Sequence, residues 1–206
     1  MTDDLFGALP SFLKLPLTGS DITYFPSINL NDASDKIALR LQIDIDWRAE
    51  EISVWGKNFL QPRLVAWHGN PGLDYSYSGI RLNPKPWTEE LLRLKNLVES
   101  ISADEFNSVL LNYYRNHQDS MGFHSDDEVE LGPRPTIASL SLGESRVLVF
   151  KHKTNKSIRP YRLPLQSGSL LIMKGDTQRN WVHGIEKSAR ECGARVNLTF
   201  RTIFQK

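Results

Sequence analysis

The sequence predicts an α+β domain that is mainly β, built as a double-sheet sandwich of the jelly-roll kind, and three observations carry that expectation. Short apolar or alternating runs, punctuated by Gly and Pro, dominate the chain beyond residue 60. Helical periodicity is confined to two segments, a short one from Asp32 through Leu41 and one near residues 88–101. The 206 residues suffice for one core of ordinary size, and no internal repeat or convincing linker divides them.

Taken in order, residues 1–20 mix apolar residues with Gly and Pro without a sustained period. They are expected to form an arm that lies on the domain or is flexible, leaving 21–206 as the single folded domain. Ser34 and Asp35 are candidate caps for a short helix marked by Ile37, Ala38 and Leu41. Thr88, followed by Glu89 and Glu90, opens a longer helix with Leu91, Leu92, Leu94, Leu97, Val98 and Ile101 at helical spacing. No other helix is expected. The runs RLVAWHG, YSYSGI, NSVLLNYY, IASLSLG, RVLVFKH, YRLPL, GSLLIMKG, NWVHGI and RVNLTFRTI read as strands.

Composition narrows the class. Hydrophobic residues at 40% and charged residues at 24% match an average globular domain, and no apolar run approaches a membrane span, so a membrane-spanning or disordered chain is excluded. The opening MTDDLFGALPSFLKL lacks the basic region and long apolar stretch of a secretory signal, and Cys192 has no partner for an internal disulfide. An intracellular monomer is expected, cytoplasmic if bacterial and nuclear if eukaryotic. With 25 basic against 24 acidic residues, any nucleic-acid partner must be held by a local basic strip. Lys151, Lys153, Lys156 and Arg159 supply one, since no acid interrupts residues 146–162, although a solvated hairpin would present the same residues.

The chemistry concentrates in a few residues. His124 stands two positions before Asp126, and in an extended segment that spacing turns both side chains to one face. His183, on a predicted strand, can be folded back beside them. Two imidazoles and one carboxylate form the facial triad that holds non-haem Fe(II) with positions left open. His117 and His68 are rival ligands, and His152 sits in the basic stretch. In the last strand Arg195, Asn197, Thr199 and Arg201 alternate with Val196, Leu198 and Phe200, so one face is polar and cationic. Facing solvent, that pattern needs no explanation. Facing the interior, two guanidiniums need anionic partners, and a dicarboxylate co-substrate would supply them. Asn112 and Tyr114, again two apart, offer an amide and a phenol on one face, although Tyr114 would serve equally as a core aromatic.

The motifs NYY, HSDDE, LPLQSGSLLIMKGDTQRNWVHGI and RVNLTFR, the last preceded by Ala194 in place of a proline, together resemble the AlkB family of Fe(II)- and 2-oxoglutarate-dependent dioxygenases. GIRLNPKPW and FKHK are similar to the animal homologues that repair duplex DNA. The resemblance spans about residues 20–204. It implies a double-stranded β-helix core behind N-terminal helices and a nucleotide-recognition lid at about 50–85. It implies Fe(II) on His124, Asp126 and His183, and 2-oxoglutarate held by Asn112, Tyr114, Arg195, Asn197, Thr199 and Arg201, with O2 as second co-substrate. The implied reaction is oxidative removal of alkyl groups from base nitrogens, with release of succinate, carbon dioxide and an aldehyde.

Such a substrate must be flipped out of the duplex and held between flat groups. Tyr75 and Tyr77 alternate on a predicted strand and would place a ring over the base, with His124 as the opposite wall by resemblance. Asp127 and Glu128 would favour cationic 1-methyladenine and 3-methylcytosine over neutral bases, unless they simply face water. Trp55, Gly56 and Lys57 align with the finger that duplex-repairing relatives insert into the base stack. The partner expected is therefore alkylated DNA, duplex favoured and single strands accepted. RNA, a protein or a small molecule as substrate, or a silent nucleic-acid-binding module, are the alternatives.

Overall fold

The computed structural model describes residues 11–204 apart from 55, 56, 74, 78, 79 and 83. In chain order the strands are β1 (Leu13–Lys14), β2 (Asp21–Phe25), β3 (Glu51–Val54), β4 (Lys57–Leu60), β5 (Leu64–Gly69), β6 (Tyr75–Tyr77), β7 (Ile80–Leu82), β8 (Ser108–Tyr114), β9 (Met121–His124), β10 (Ile137–Gly143), β11 (Arg146–His152), β12 (Tyr161–Leu165), β13 (Ser169–Lys174), β14 (Trp181–Ile185) and β15 (Arg195–Arg201). The helices are α1 (Ser34–Asp44), α2 (Glu89–Ser102) and α3 (Thr177–Asn180). A seven-stranded sheet runs β1-β2-β13-β10-β15-β8-β5, and a four-stranded sheet runs β12-β11-β14-β9. Every ladder in both is antiparallel. The hairpins β3–β4 and β6–β7 form two further small sheets.

The large sheet buries both faces, and the period of two in its strands divides the work. Val196, Leu198 and Phe200 of β15 join Val109 and Leu111 of β8 and Ala138, Leu140 and Leu142 of β10 on one face. Against them pack Ile37, Ala38 and Leu41 of α1 and Leu91, Leu94 and Val98 of α2, with Leu97 and Ile101 partly buried beside them, whereas Leu92, also on the expected apolar face, is exposed. A second core lies between the sheets, with Leu110 and Tyr114 of β8 and Leu171 and Met173 of β13 meeting Leu148 and Phe150 of β11, Leu163 of β12 and Ile185 of β14. The predicted double-sheet sandwich is thus realised.

Several local expectations are corrected. α1 starts at Ser34 with Ala33 at its N-cap and no side-chain capping bond. The Ser34 hydroxyl instead hydrogen-bonds Ser167, and Asp35 accepts from Ser167, so both candidate caps bind the β12–β13 turn. YSYSGI is not one strand but contributes to the two strands of the β6–β7 hairpin. β1 to β4 were not anticipated, nor was α3, whose four residues are too few to show a helical period. The segment before residue 20 is partly strand: β1 pairs with β2, and Leu15 and Leu17 enter the inter-sheet core. Among the described residues no helix is long and apolar enough to cross a membrane.

α2 owes its start to Thr88, whose hydroxyl accepts from the Leu91 amide at 3.2 Å while Glu89 and Glu90 occupy the first turn. Thr88→Ala is expected to cost about 1 kcal/mol of unfolding free energy, read from urea melts, with no change of denaturant slope.

Candidate metal and co-substrate site

The site is assembled by the inward face of β15. Because its apolar residues are spent on the helix side, Arg195, Asn197, Thr199 and Arg201 all point between the sheets and are buried there. Register pairs them with like residues on either side: Asn197 lies between Ser141 and Asn112, Thr199 faces Ser139, and Arg195 faces Tyr114. The result is a polar patch in an otherwise apolar inter-sheet layer. The four β15 residues, Asn112, Tyr114 and Ser139 line a single cavity with His124, Asp126 and His183.

β9 and β14 bring the histidines together. His183 and His124 are register partners, with ring centroids 4.6 Å apart. Asp126, two residues past His124 and buried, puts Oδ2 at 3.5 Å from His183 Nε2. One ligand atom from each residue fits within 4.8 Å of the others. The ladder is irregular between His183 and Ile185, and there Gly184 lies so close to β9 that a Cβ would stand 2.9 Å from the Met121 carbonyl oxygen. Glycine is what allows the strands to close to ligand distance. Asp126 is held by its main chain as well, its amide donating to Gln178 Oε1 at 3.0 Å from α3. The preceding Ser125 hydroxyl donates to the Trp181 carbonyl at 2.9 Å.

Electrostatics favour a metal. Burial alone would raise the Asp126 pKa, but the Arg201 guanidinium paired with it, and then His183 and His124, hold the carboxyl well below the usual range. Asp126 is therefore a carboxylate at neutral pH. Burial, then the neighbouring His183, pushes His124 down to about 4, so its ring is neutral. Its Nδ1 lies 2.9 Å from the Gly122 carbonyl. A proton there is donated to that oxygen, which leaves the Nε2 lone pair for a metal.

The other end of the cavity asks for an anion. Arg195 is fully buried, with Nη2 donating to Ser141 Oγ at 2.9 Å and the guanidinium 5.0 Å from the Tyr114 ring centroid. Its Nε and Nη1 have no acceptor among the described residues. Burial pulls its pKa down to about 10, so at neutral pH it remains a buried cation with donors to spare, a group that a carboxylate would satisfy. The residues present thus fit both groups: an N2O ligand set for a divalent iron and an unsatisfied guanidinium for a dicarboxylate.

The remaining expected residues are placed less uniformly. Asn197 spends its amide donors on Ser139 Oγ and the Leu140 carbonyl, both at 2.9 Å. Asn112 accepts from Arg63 Nε at 2.6 Å, which turns its amide donors the other way. Asp127 is paired with Lys153 at 2.8 Å, and Glu128 is half-buried beside it. Trp55 and Gly56 lie outside the described residues, and for Lys57, Tyr75 and Tyr77 the strand pairing alone is described. In the basic stretch Lys151 Nζ lies 3.5 Å from the Phe123 ring centroid. The rival histidines do not join the ligand cluster: His68 is buried against the Pro86 carbonyl, His152 accepts amides from Thr154 and Asn155, and His117 sits in the loop after β8. Sequence reasoning missed Arg63, Gln178, Ser139 and Ser141. The two serines alternate with apolar residues in IASLSLG, the same signal that was read in the last strand, whereas nothing local marks Arg63 or Gln178.

The fold and cavity define a class that comparison with known proteins makes explicit. The family 2OG-Fe(II) oxygenase superfamily matches residues 21–201. Over 203 residues the chain is 37% identical to the human DNA oxidative demethylase ALKBH2, covering 94% of this chain and 77% of that protein. It is 40% identical over 185 residues to the bovine Alpha-ketoglutarate-dependent dioxygenase alkB homolog 3, covering 86% of this chain and 64% of that one. A solved structure, OsALKBH1, superposes with a TM-score of 0.61 at 17% identity, covering 93% of this chain and all of that one, and so shares the fold. The chain belongs to the AlkB family of 2OG-Fe(II) oxygenases. Its cofactor is Fe(II), with 2-oxoglutarate and O2 as co-substrates.

Two substitutions at residues that are not themselves metal ligands test how the ligands are held. Gly184→Ala and Gln178→Leu should each lower Fe(II) affinity by roughly ten- to hundredfold, the usual effect of removing a support behind a metal ligand. Metal titration checks this against an unchanged far-ultraviolet spectrum; wild-type affinity in both would mean that β9 and the Asp126 loop hold their places unaided.

Proposed function

We propose that this protein repairs N-alkylated bases of the 1-methyladenine and 3-methylcytosine type in DNA by oxidative dealkylation. The observation that carries the reading is the inter-sheet cavity in which a two-histidine, one-carboxylate cluster and a buried arginine with unused donors share one space. The kinship with a DNA oxidative demethylase supports the choice of substrate.

In this reading His124, Asp126 and His183 hold the iron. Arg201, already paired with Asp126, lies at the metal end of the co-substrate, and Arg195 takes the far carboxylate with Tyr114 beside it. Asn112, oriented by Arg63, donates to the co-substrate, while Asn197 and Thr199 complete the polar wall. Iron with 2-oxoglutarate and O2 supplies hydroxylation of the alkyl carbon, with succinate and carbon dioxide as co-products and an aldehyde released from the base. The protein's part is to keep Asp126 ionised, His124 neutral and the cavity closed to bulk water.

The base would be held outside the metal between His124 and Tyr75 or Tyr77, with Glu128 and the Lys153-paired Asp127 at its edge. Residues of about 50–85, which contain both small hairpins, would form the lid, and Trp55, Gly56 and Lys57 the stack-filling finger. Lys151, Lys153, Lys156 and Arg159 would meet the phosphates. Support for that last assignment comes from register: Lys151 pairs with Val182, next to His183, so the strip lies one strand away from the metal.

Succinate release measured with and without methylated oligonucleotide is the decisive experiment. Production that depends on the methylated strand, and is abolished in His124→Ala, Asp126→Ala and His183→Ala with folding retained, is expected. Succinate output indifferent to DNA but stimulated by methylated RNA or by a protein would assign the chemistry to another substrate. The same assay reads the finger. Base–aromatic stacking is worth roughly 1–3 kcal/mol per base, so Trp55→Ala should slow repair of a methylated duplex by about ten- to hundredfold. On a single strand, which has no paired stack to fill, the change should be slight, and equal losses on both would make Trp55 a packing residue.

A further inference from the structure

Arg146 opens β11 and is 5% exposed, yet it does not line the inter-sheet cavity. Its guanidinium donates to three main-chain carbonyls: Nη1 to Asn116 at 3.1 Å, and Nη2 to Asp119 and Glu186 at 2.9 Å each. Asn116 and Asp119 belong to the loop between β8 and β9, and Glu186 follows β14 directly. Those two segments adjoin the strands that carry the residues that matter: β8 ends in Tyr114, β9 ends in His124, and β14 carries His183. The same guanidinium carbon lies 5.7 Å from the Tyr114 ring centroid, and the Arg195 guanidinium carbon lies 5.0 Å from that ring. Two cations therefore share one phenol ring at the end of the cavity remote from the metal, and the inner one is the arginine with unused donors.

A clamp serving the fold alone would not require a charge at that spot, because neutral donors also hydrogen-bond carbonyl oxygens, if more weakly. Placing a second buried cation beside Arg195 is unfavourable for the empty protein, since like charges in a poorly solvated layer repel. It becomes favourable once an anion with two charges enters. Arg146 hydrogen-bonds main-chain oxygens, and the nearby Asp119 carboxylate, which its charge helps to keep ionised, is itself paired with Arg115.

We infer that Arg146 is a positioning residue for 2-oxoglutarate, fixing Tyr114 and the loop behind it while adding positive potential at the end of the cavity where Arg195 receives the far carboxylate. The inference rests on the reading of Arg195 as that receiver. Arg146 touches neither iron nor co-substrate. Its effect falls on the affinity for a ligand that reaches the Arg195 end, and not on a ligand confined to the metal.

The test uses the whole protein loaded with Mn(II) and two probes, 2-oxoglutarate and oxalate, the second of which binds the metal without reaching Arg195. Affinities are measured by calorimetry, with no DNA present and no turnover required. Arg146→Gln, which keeps a donor for the carbonyls but loses the charge, should weaken 2-oxoglutarate by about tenfold, the scale of one unit charge at several ångströms in a partly screened interior. Oxalate affinity should not change. Arg146→Lys should recover most of the loss because it restores the charge, and Arg146→Met, which removes the charge from a side chain of similar length, carries the test if the glutamine variant does not fold: 2-oxoglutarate about tenfold weaker with oxalate unchanged is then the expected result. Equal weakening of both probes in either uncharged variant would make Arg146 a support of the metal strands only and overturn the inference. So would unaltered 2-oxoglutarate binding in Arg146→Gln when Arg195→Ala abolishes it. Failure of the wild-type protein to bind 2-oxoglutarate would overturn the reading of the site, and this inference with it.

Discussion

Two guanidinium groups are held between apolar sheets, and the rest of the site is arranged around what each of them faces. Arg201 meets a carboxylate from its own chain, and through that pair β15, an interior strand of the large sheet, is tied to the loop that carries Asp126. Breaking such a buried pair by removing one partner typically costs about 3–5 kcal/mol, so the loop is fixed as firmly as a core contact would fix it. Arg195 meets one neutral hydroxyl and an aromatic ring. That imbalance is the molecule's main departure from a fully satisfied interior, and it is the feature that calls for a ligand carrying negative charge.

The fold can sustain the imbalance because its two cores divide the labour. Helices α1 and α2 bury the apolar face of β15, β10 and β8 on one side, and that packing holds these strands in place whatever the other face carries. The inter-sheet layer is then free to hold a polar patch at its centre, ringed by Leu148, Leu165, Leu171 and Met173. The apolar ring keeps water from screening the charges, which strengthens the Asp126–Arg201 attraction and makes the spare donors of Arg195 costly to leave unmade.

How much of this was legible in the sequence depends on whether the signal was local. The inward face of β15 was, because a period of two places Arg195, Asn197, Thr199 and Arg201 together without reference to any other strand, and the same holds for Asn112 with Tyr114. His124 and Asp126 were legible as a pair for the same reason. That His183 joins them was an expectation of topology, and what makes the approach close enough is Gly184, whose role exists only once β9 is laid against β14. Gln178 was illegible because its helix has four residues and its work is one bond to a main-chain amide far away in sequence. Arg146 was read as the boundary of a basic strip, whereas the fold buries it; charge in a sequence does not say which cations will find three carbonyls. The caps assigned to α1 went astray for a related reason, since Ser34 and Asp35 found partners across the molecule that local capping could not anticipate.

The small sheet keeps the metal side and the outer surface of the domain apart. β11 and β14 are neighbours in register, so Phe150 lies opposite His183 and Lys151 opposite Val182. Successive residues of a strand point to opposite faces, so Phe150 packs inward, its ring 5.9 Å from that of His183, while Lys151 turns outward to Phe123. On one strand, adjacent residues therefore serve the metal side and the outer surface. If the outer surface meets a phosphate backbone, as proposed, the distance from backbone to iron is set by a single strand spacing and not by the conformation of a loop. A lid that rearranges over the base would then leave that distance unchanged, since neither β11 nor β14 belongs to the hairpins between residues 51 and 82. If the hairpins recognise the base, as proposed, they can vary around Tyr75 and Tyr77 without disturbing the geometry at which oxidation occurs.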